Sequence, residues 1–192
     1  EKGAPQLQDA LDAVWVPETD TATGTVCPGT YECLSRWFII KQPIVIESSE
    51  GPENTILKAG APSAGARRVV NLNHPGAVLS GLTLTGGNWD GTGGDSGPGA
   101  LRLEAGTVTN CIIRNNRGCY TGGGVQMSGG LLTDCEICTN SCIYNNGATD
   151  TRGGGVYMTG GTVVGCRVHD CYACTPGDTG GGVWTSGGVV RD

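Results

Sequence analysis

Large apolar side chains and basic residues are both scarce in this sequence. It has one Phe and two Met among 192 residues, too few for a conventional globular core. The net charge is −6, and a chain without a basic patch cannot release counterions from nucleic acid or from an anionic membrane. No apolar run approaches the ~20 residues that a membrane-spanning helix needs. The sequence therefore predicts neither a nucleic-acid partner nor a membrane span.

Glycine and cysteine, by contrast, are abundant, with 35 Gly and ten Cys. Most apolar residues are Val, Ile, Leu and Ala in short runs between glycines, a composition typical of strands and turns. Ten cysteines in a chain of this length indicate an oxidising compartment. We therefore expect an extracellular or cell-surface protein.

One residue pattern repeats four times in the second half of the chain. The copies open at Leu101, Val125, Val156 and Val183, at intervals of 24, 31 and 27 residues. In the first three copies a cysteine follows ten positions after the opening residue, so the variation in length falls after the cysteine. These cysteines are Cys111, Cys135 and Cys166. A constant unit with variable insertions on one side is typical of a solenoid.

Each copy begins with alternating apolar and polar residues, the period of a strand with one face inward. Paired glycines then end the strand and permit a bend. After Gly60 no long segment free of Gly and Pro has helical periodicity, which excludes a helical solenoid. The sequence predicts an all-β, parallel β-helix of about six coils, in which equivalent residues stack ~4.8 Å apart. One such ladder is expected to contain Ile113, Ile137 and Val168.

The two ends of the chain carry separate expectations. Residues 1–16 are predicted to form a capping helix, because Leu7, Leu11 and Val14 have helical spacing and an uncovered first coil would expose strand edges and core. Residues 17–192 are predicted to form the β-helix. The sequence stops at Asp192 in the middle of a repeat, so we expect either that the polypeptide continues or that copies stack end to end.

Several segments resemble the right-handed parallel β-helix repeat proteins of bacterial cell surfaces and secretions. Residues 7–11 and 28–31 are similar to the entry motif of that family, and residues 51–57 and 80–84 resemble its next coils. The pairs Ile113 with Asn116 and Ile137 with Asn140 resemble, more loosely, repeats of polymorphic outer-membrane proteins. The resemblance implies a right-handed, single-stranded β-helix in a bacterial-type secreted protein. The family includes polysaccharide lyases, glycoside hydrolases and adhesins, so it implies no single activity.

Catalytic motifs are scarce. Hydrolases of this fold place an acid and a base carboxylate on adjacent coils, yet the sequence has no Asp-Asp pair, and His74 and His169 each stand alone. Both histidines are expected to be solvated. We predict a non-catalytic extracellular structural, adhesive or binding module. The alternative is a carbohydrate-active enzyme, a polysaccharide lyase or glycoside hydrolase, with its site on the Asp-bearing loop edge.

The variable loops are rich in Asp and Asn. They follow the same strand in successive coils, so their oxygen atoms could gather along one edge and hold Ca²⁺, which takes six to eight oxygen ligands. The candidate ligands are Asp90, Asp95, Asp150 and Asp178. The alternative is that Asp and Asn simply form the turns. No other cofactor is predicted.

A second candidate site is the outward row formed by the second residue of each repeat, namely Arg102, Gln126, Tyr157 and Trp184. Aromatic and polar side chains in a row on a flat sheet could bind a glycan or a surface protein. A chance row of surface residues is the alternative. Together with the loop, the predicted ligand-binding residues are Trp89, Asp90, Tyr157 and Trp184.

The cysteines divide into two groups. Cys27 and Cys33 lie on either side of a Pro-Gly turn and are predicted to form a disulfide. Further bridges are expected among Cys119, Cys138, Cys142, Cys171 and Cys174, a pattern preferred over zinc half-sites because the two Cys-x-x-Cys pairs lie a whole coil apart. The ladder of cysteines ten residues into each repeat is expected to be buried thiol, since parallel Cβ vectors make a poor disulfide torsion.

Asn116 and Asn140 occupy equivalent positions five residues after the ladder cysteines. Asn residues at matching offsets of stacked strands form amide ladders. We therefore predict that these two side chains have a structural role.

Overall fold

A computed structural model describes residues 4–13, 16–33, 37–60, 68–91, 96–143, 151–174 and 180–192. The chain is a parallel β-solenoid with one short N-terminal helix, 49% strand and 4% helix. This confirms the predicted all-β parallel fold.

Three strands make each of the first coils. Short apolar runs such as Phe38–Ile40 bury their outer two residues and expose the middle one, as period-two alternation requires. The strands of these coils are β1 (Ala22–Val26), β2 (Gly29–Cys33), β3 (Phe38–Ile40), β4 (Ile44–Ser48), β5 (Thr55–Ala59), β6 (Val70–Leu72), β7 (Val78–Ser80), β8 (Thr83–Thr85) and β9 (Leu101–Leu103).

Later coils add a fourth strand where the sequence predicted only a connecting loop. The remaining strands are β10 (Thr107–Thr109), β11 (Ile112–Arg114), β12 (Arg117–Cys119), β13 (Val125–Met127), β14 (Leu131–Thr133), β15 (Glu136–Cys138), β16 (Ser141–Ile143), β17 (Val156–Met158), β18 (Thr162–Val164), β19 (Arg167–His169), β20 (Tyr172–Ala173), β21 (Val183–Thr185) and β22 (Val189–Arg191). The added strands are β12, β16 and β20. The variable loops connect β12 to β13, β16 to β17 and β20 to β21.

The strands stack into four parallel sheets. Sheet A has the order β1-β4-β7-β10-β14-β18-β22, sheet B β2-β5-β8-β11-β15-β19, sheet C β3-β6-β9-β13-β17-β21 and sheet D β12-β16-β20. Sheets B and C each contain six stacked strands, and the solenoid has about five turns, whereas about six coils were predicted. The stacking follows the predicted register, because Val125 pairs with Leu101 and Val156. Likewise, Ile137 pairs with Ile113 and with Val168.

The corners between sheets depend on residues in the left-handed backbone conformation. Gly130, the second glycine of a predicted pair, has φ 73° at the corner from sheet C to sheet A. A Cβ there would lie 2.7 Å from the carbonyl oxygen of Gly106, so only glycine fits. The corner from sheet A to sheet B has positive φ in four successive coils, at Gly81, Asn110, Asp134 and Gly165. Gly, Asn and Asp are the residues that tolerate this conformation best.

The N-terminal helix covers the first coil, as predicted. It spans Ala4–Ala13, within the predicted range 1–16, and Val14 lies outside the described residues. Leu7 and Leu11 pack against the core. The side-chain oxygen of Gln8 accepts a hydrogen bond from the backbone N–H of Ile39, at 3.0 Å. Ile39 belongs to the first strand of sheet C. The helix therefore supplies a hydrogen-bond acceptor to a backbone N–H at the open edge of that sheet.

Candidate binding face and the predicted site residues

The outward row of sheet C exists as predicted. Gln126 is the Cα partner of Arg102 on one side and of Tyr157 on the other, and Tyr157 is the partner of Trp184. In β9, β13 and β17 the first and third residues are buried and the middle one is partly exposed. The four side chains therefore line one outer face of the solenoid.

The two aromatic members of this row form a stacked pair. The ring centroids of Tyr157 and Trp184 are 4.6 Å apart, and the planes differ by 1°. The strand spacing of ~4.8 Å imposes this separation on equivalent side chains. The guanidinium carbon of Arg152 lies 4.9 Å from the Trp184 ring centroid. The stack restricts both rings, and each ring covers one face of the other.

The two polar members are joined by hydrogen bonds. Arg102 donates from Nε and Nη2 to the side-chain oxygen of Gln126, at 3.3 and 3.2 Å. The amide nitrogen of Gln126 donates to the hydroxyl of Thr121, at 3.3 Å. The guanidinium and the amide are thus held in place before any ligand binds.

A groove of about 350 Å³ runs beside this row. Its walls include a second outward row two residues further along each repeat, which period-two alternation could have revealed. The lining residues are Arg102, Glu104, Gln126, Met127, Ser128, Tyr157 and Thr159. The groove therefore combines a cation, a carboxylate, an amide, a thioether, two aliphatic hydroxyls and a phenol ring.

Trp89 does not belong to this face. Only 3% of its surface is exposed, and the guanidinium carbon of Arg68 lies 3.8 Å from its ring centroid. The same guanidinium lies 4.7 Å from the ring centroid of Trp37. The prediction of Trp89 as a ligand-binding residue is inconsistent with this burial, because its ring packs in a structural cation–π cluster.

The calcium prediction concerns residues that the structure mostly leaves undescribed. Asp90 follows Trp89 and is half-buried. Asp95, Asp150 and Asp178 lie outside the described residues. The calcium site therefore stays a prediction.

No disulfide joins any of the ten cysteines, all of which lie in described segments. Cys27 is exposed in the turn before β2, whereas Cys33 is buried at the far end of that strand, 1% exposed. Only Cys33 belongs to the apolar core. The predicted Cys27–Cys33 bridge is therefore not formed, nor are the predicted loop bridges.

Comparison with protein-family models, curated proteins and solved structures gives no match to this chain. The likeness to bacterial β-helix repeat proteins consequently remains a resemblance of motifs. Among the described residues, no helix is long and apolar enough to cross a membrane.

Proposed function

We propose that this chain is a non-catalytic binding module of an extracellular or cell-surface protein, and that the outward face of sheet C binds a glycan. The groove beside Arg102, Gln126 and Tyr157 is the observation that carries the proposal. Sugars present hydroxyl groups that both donate and accept hydrogen bonds, together with apolar ring faces. The groove offers charged and hydroxyl groups that can hydrogen-bond to the sugar hydroxyls, and an aromatic surface that can pack against the apolar faces of the sugar rings.

The rigidity of the face also supports the proposal. Arg102, Gln126 and Tyr157 each sit at the middle of a strand that is paired on both sides. The Tyr157 ring is further restricted by its stack on Trp184. A ligand would therefore bind without a large entropic cost of ordering these side chains.

Calorimetric titration of a panel of neutral and acidic oligosaccharides tests the proposal. The variants Arg102→Ala and Tyr157→Ala should each weaken binding by roughly tenfold or more, equivalent to about 1.4 kcal/mol. Matched controls are Arg117→Ala and Tyr172→Ala, because both residues are exposed on sheet D. These controls should bind like the unmodified protein.

Two outcomes would contradict the proposal. The first is absence of binding across the panel, and the second is equal weakening in the sheet C variants and the sheet D controls. Depolymerised product in the presence of Ca²⁺ would instead favour the carbohydrate-active enzyme.

The extracellular location is supported by the motif resemblance alone, because the cysteines that indicated an oxidising compartment form no disulfide bond. Cys27 is exposed, so a membrane-impermeant thiol reagent applied to intact source cells should label it. Labelling only after lysis would contradict the location.

A further inference from the structure

Three side chains of mixed chemistry meet on the outer face of sheet B. In β15 the middle residue, Ile137, is buried, so Glu136 and Cys138 on either side point outward. His169 ends the neighbouring strand β19 and is the Cα partner of Cys138. One carboxylate oxygen, the Cys138 Sγ and one imidazole nitrogen lie within 4.8 Å of one another.

The two ring nitrogens of His169 face different carboxylates. Nδ1 lies 2.8 Å from Oδ2 of Asp170, and Nε2 lies 2.9 Å from Oε1 of Glu136. A histidine that binds a metal typically donates its second ring N–H to a carboxylate, which fixes the tautomer and the ring orientation. Asp170 occupies that outer position, and it is independent of the three clustered donors.

Cys138 shares its own strand with Glu136 and meets His169 on the neighbouring strand. Cys135, the other member of its Cys-x-x-Cys pair, is buried and only 2% exposed, whereas Cys138 lies outside the coil wall. The two sulfur atoms of the motif therefore cannot share one ion. The stacking of β15 on β19 supplies the histidine instead.

Two carboxylates and two guanidinium groups surround the cluster. Glu136 and Asp170 contribute two carboxylates, and both contact the His169 ring. Arg167 places Nη1 3.7 Å from Oε1 of Glu136, but its side chain is 76% exposed. Arg114 is the Cα partner of Cys138 on the other side. The exposed Arg167 can stay hydrated when another cation neutralises Glu136.

We propose that Glu136, Cys138 and His169 bind one divalent cation of the zinc class, with water as the fourth ligand. Thiolate, imidazole and carboxylate are the ligands that zinc takes in proteins. At zinc–ligand distances of about 2.0–2.3 Å, tetrahedral ligands lie about 3.3–3.8 Å apart. Small side-chain rotations therefore close the observed cluster around an ion. The bound ion would cross-link two successive coils.

Titration of Co²⁺ into the reduced 192-residue chain tests the site directly, because a thiolate ligand gives Co²⁺ a charge-transfer absorbance. The expected result is one Co²⁺ per chain with that absorbance, displaced by Zn²⁺. Cys138→Ser should abolish the charge-transfer band, and His169→Asn should weaken Zn²⁺ binding by at least about tenfold. Matched controls are Cys27→Ser, an exposed cysteine, and His74→Asn, a histidine paired with Glu18.

Circular dichroism of each variant checks that the solenoid is intact, and Glu136→Gln provides a second ligand variant of nearly equal size. Three results would each overturn the site. They are no charge-transfer band in the unmodified chain, an unchanged band in Cys138→Ser, and equal weakening in the control variants. The last two would show adventitious binding at other thiols or histidines.

Discussion

Two ladders of inward side chains occupy neighbouring corners of the same coils and solve the same packing problem differently. Each ladder residue follows a residue with positive φ, such as Asp134 or Thr139. The corner between sheets A and B carries Cys111, Cys135 and Cys166. The corner between sheets B and D carries Asn116, Asn140 and Cys171.

The first ladder is a column of thiols. Sγ of Cys135 lies 3.1 Å from the carbonyl oxygen of Thr133 and 3.8 Å from that of Val108. The hydrogen bond with Cys111 raises the pKa of Cys135, and the hydrogen bond with Cys135 raises that of Cys166. Cys135 and Cys166 therefore stay protonated. Burial acts to raise the pKa of Cys111, but its hydrogen bonds, that with Cys135 first, lower it. The column packs as small, largely buried groups, as the sequence predicted.

The second ladder is built on amides, and its bonds are shorter. Nδ2 of Asn140 donates to the carbonyl oxygen of Ile113 at 2.7 Å. Its Oδ1 accepts from the backbone N–H and from Nδ2 of Asn116, at 3.1 and 3.0 Å. Oδ1 of Asn116 in turn accepts from the backbone N–H of Gly87 at 2.9 Å. Each amide thus joins its own coil to the preceding one.

The difference shows that the backbone, and not the apolar core alone, selects the residue at a corner. Buried N–H groups at the B–D corner need an acceptor, and Asn supplies a strong one where a thiol supplies a weak one. Cys171 takes the same place one coil later, where its Sγ lies 3.9 Å from Nδ2 of Asn140. The amide ladder should therefore be the more sensitive of the two.

Asn140→Ala should give the largest loss of stability. It removes the acceptor of a buried backbone N–H and the donor to Ile113, so we expect a loss of roughly 2–4 kcal/mol in the free energy of unfolding. Urea unfolding followed by circular dichroism measures it. A loss no greater than that of Cys135→Ala would contradict the contrast between the ladders.

Asn140→Cys makes the amide ladder resemble the thiol ladder at one position. The thiol fills the space and donates weakly, as Cys171 does to the carbonyl oxygen of His169 at 3.3 Å. The expected loss is about 1–2 kcal/mol, since the backbone N–H of Asn116 still lacks a strong acceptor. Hydrogen exchange at the Asn116 amide should accelerate in this variant. Unchanged exchange there would show that the acceptor is dispensable.

Cys135→Ala tests the thiol ladder with a smaller expected effect. It deletes one buried sulfur atom that makes only weak hydrogen bonds, so the expected loss is about 1 kcal/mol. The same urea experiment applies, with Cys27→Ala as an exposed control expected to change nothing measurable. A loss comparable to that of Asn140→Ala would mean that the sulfur column carries more than packing.

His169→Asn, on the outer face of sheet B, should have the smallest effect, and that effect depends on pH. The hydrogen bond to Asp170, followed by that to Glu136, raises the pKa of His169 above its ordinary value near 6.5. The stabilisation is therefore complete below pH ~6.5 and is lost as the pH rises through the folded-state pKa. Melting temperatures of metal-free protein and variant should differ in acid and converge in alkali. A difference that grows with pH would contradict this assignment.

Much of the fold could be predicted because it repeats. The ten-residue spacing from Val125 to Cys135 is local, and its recurrence identifies stacked positions without knowledge of the intervening loops. The strand Ser141–Ile143 in sheet D was missed, since it has no counterpart in the early coils. The row from Arg102 to Trp184 was predicted as a surface, but the groove beside it was not.

The sequence alone determined the coil, its inward ladders and its outward rows, because strand periodicity and corner residues act over a few neighbouring positions. Only the tertiary structure decided which outward groups meet. Glu136 and His169 are 33 residues apart, and Trp89 is buried with the Arg68 guanidinium over its ring. Cys27 and Cys33 are near in sequence, yet only Cys33 is buried in the core. Period-two alternation predicts on which face of a strand a side chain lies. Which side chains make contact also depends on side-chain rotations and on the path of each loop.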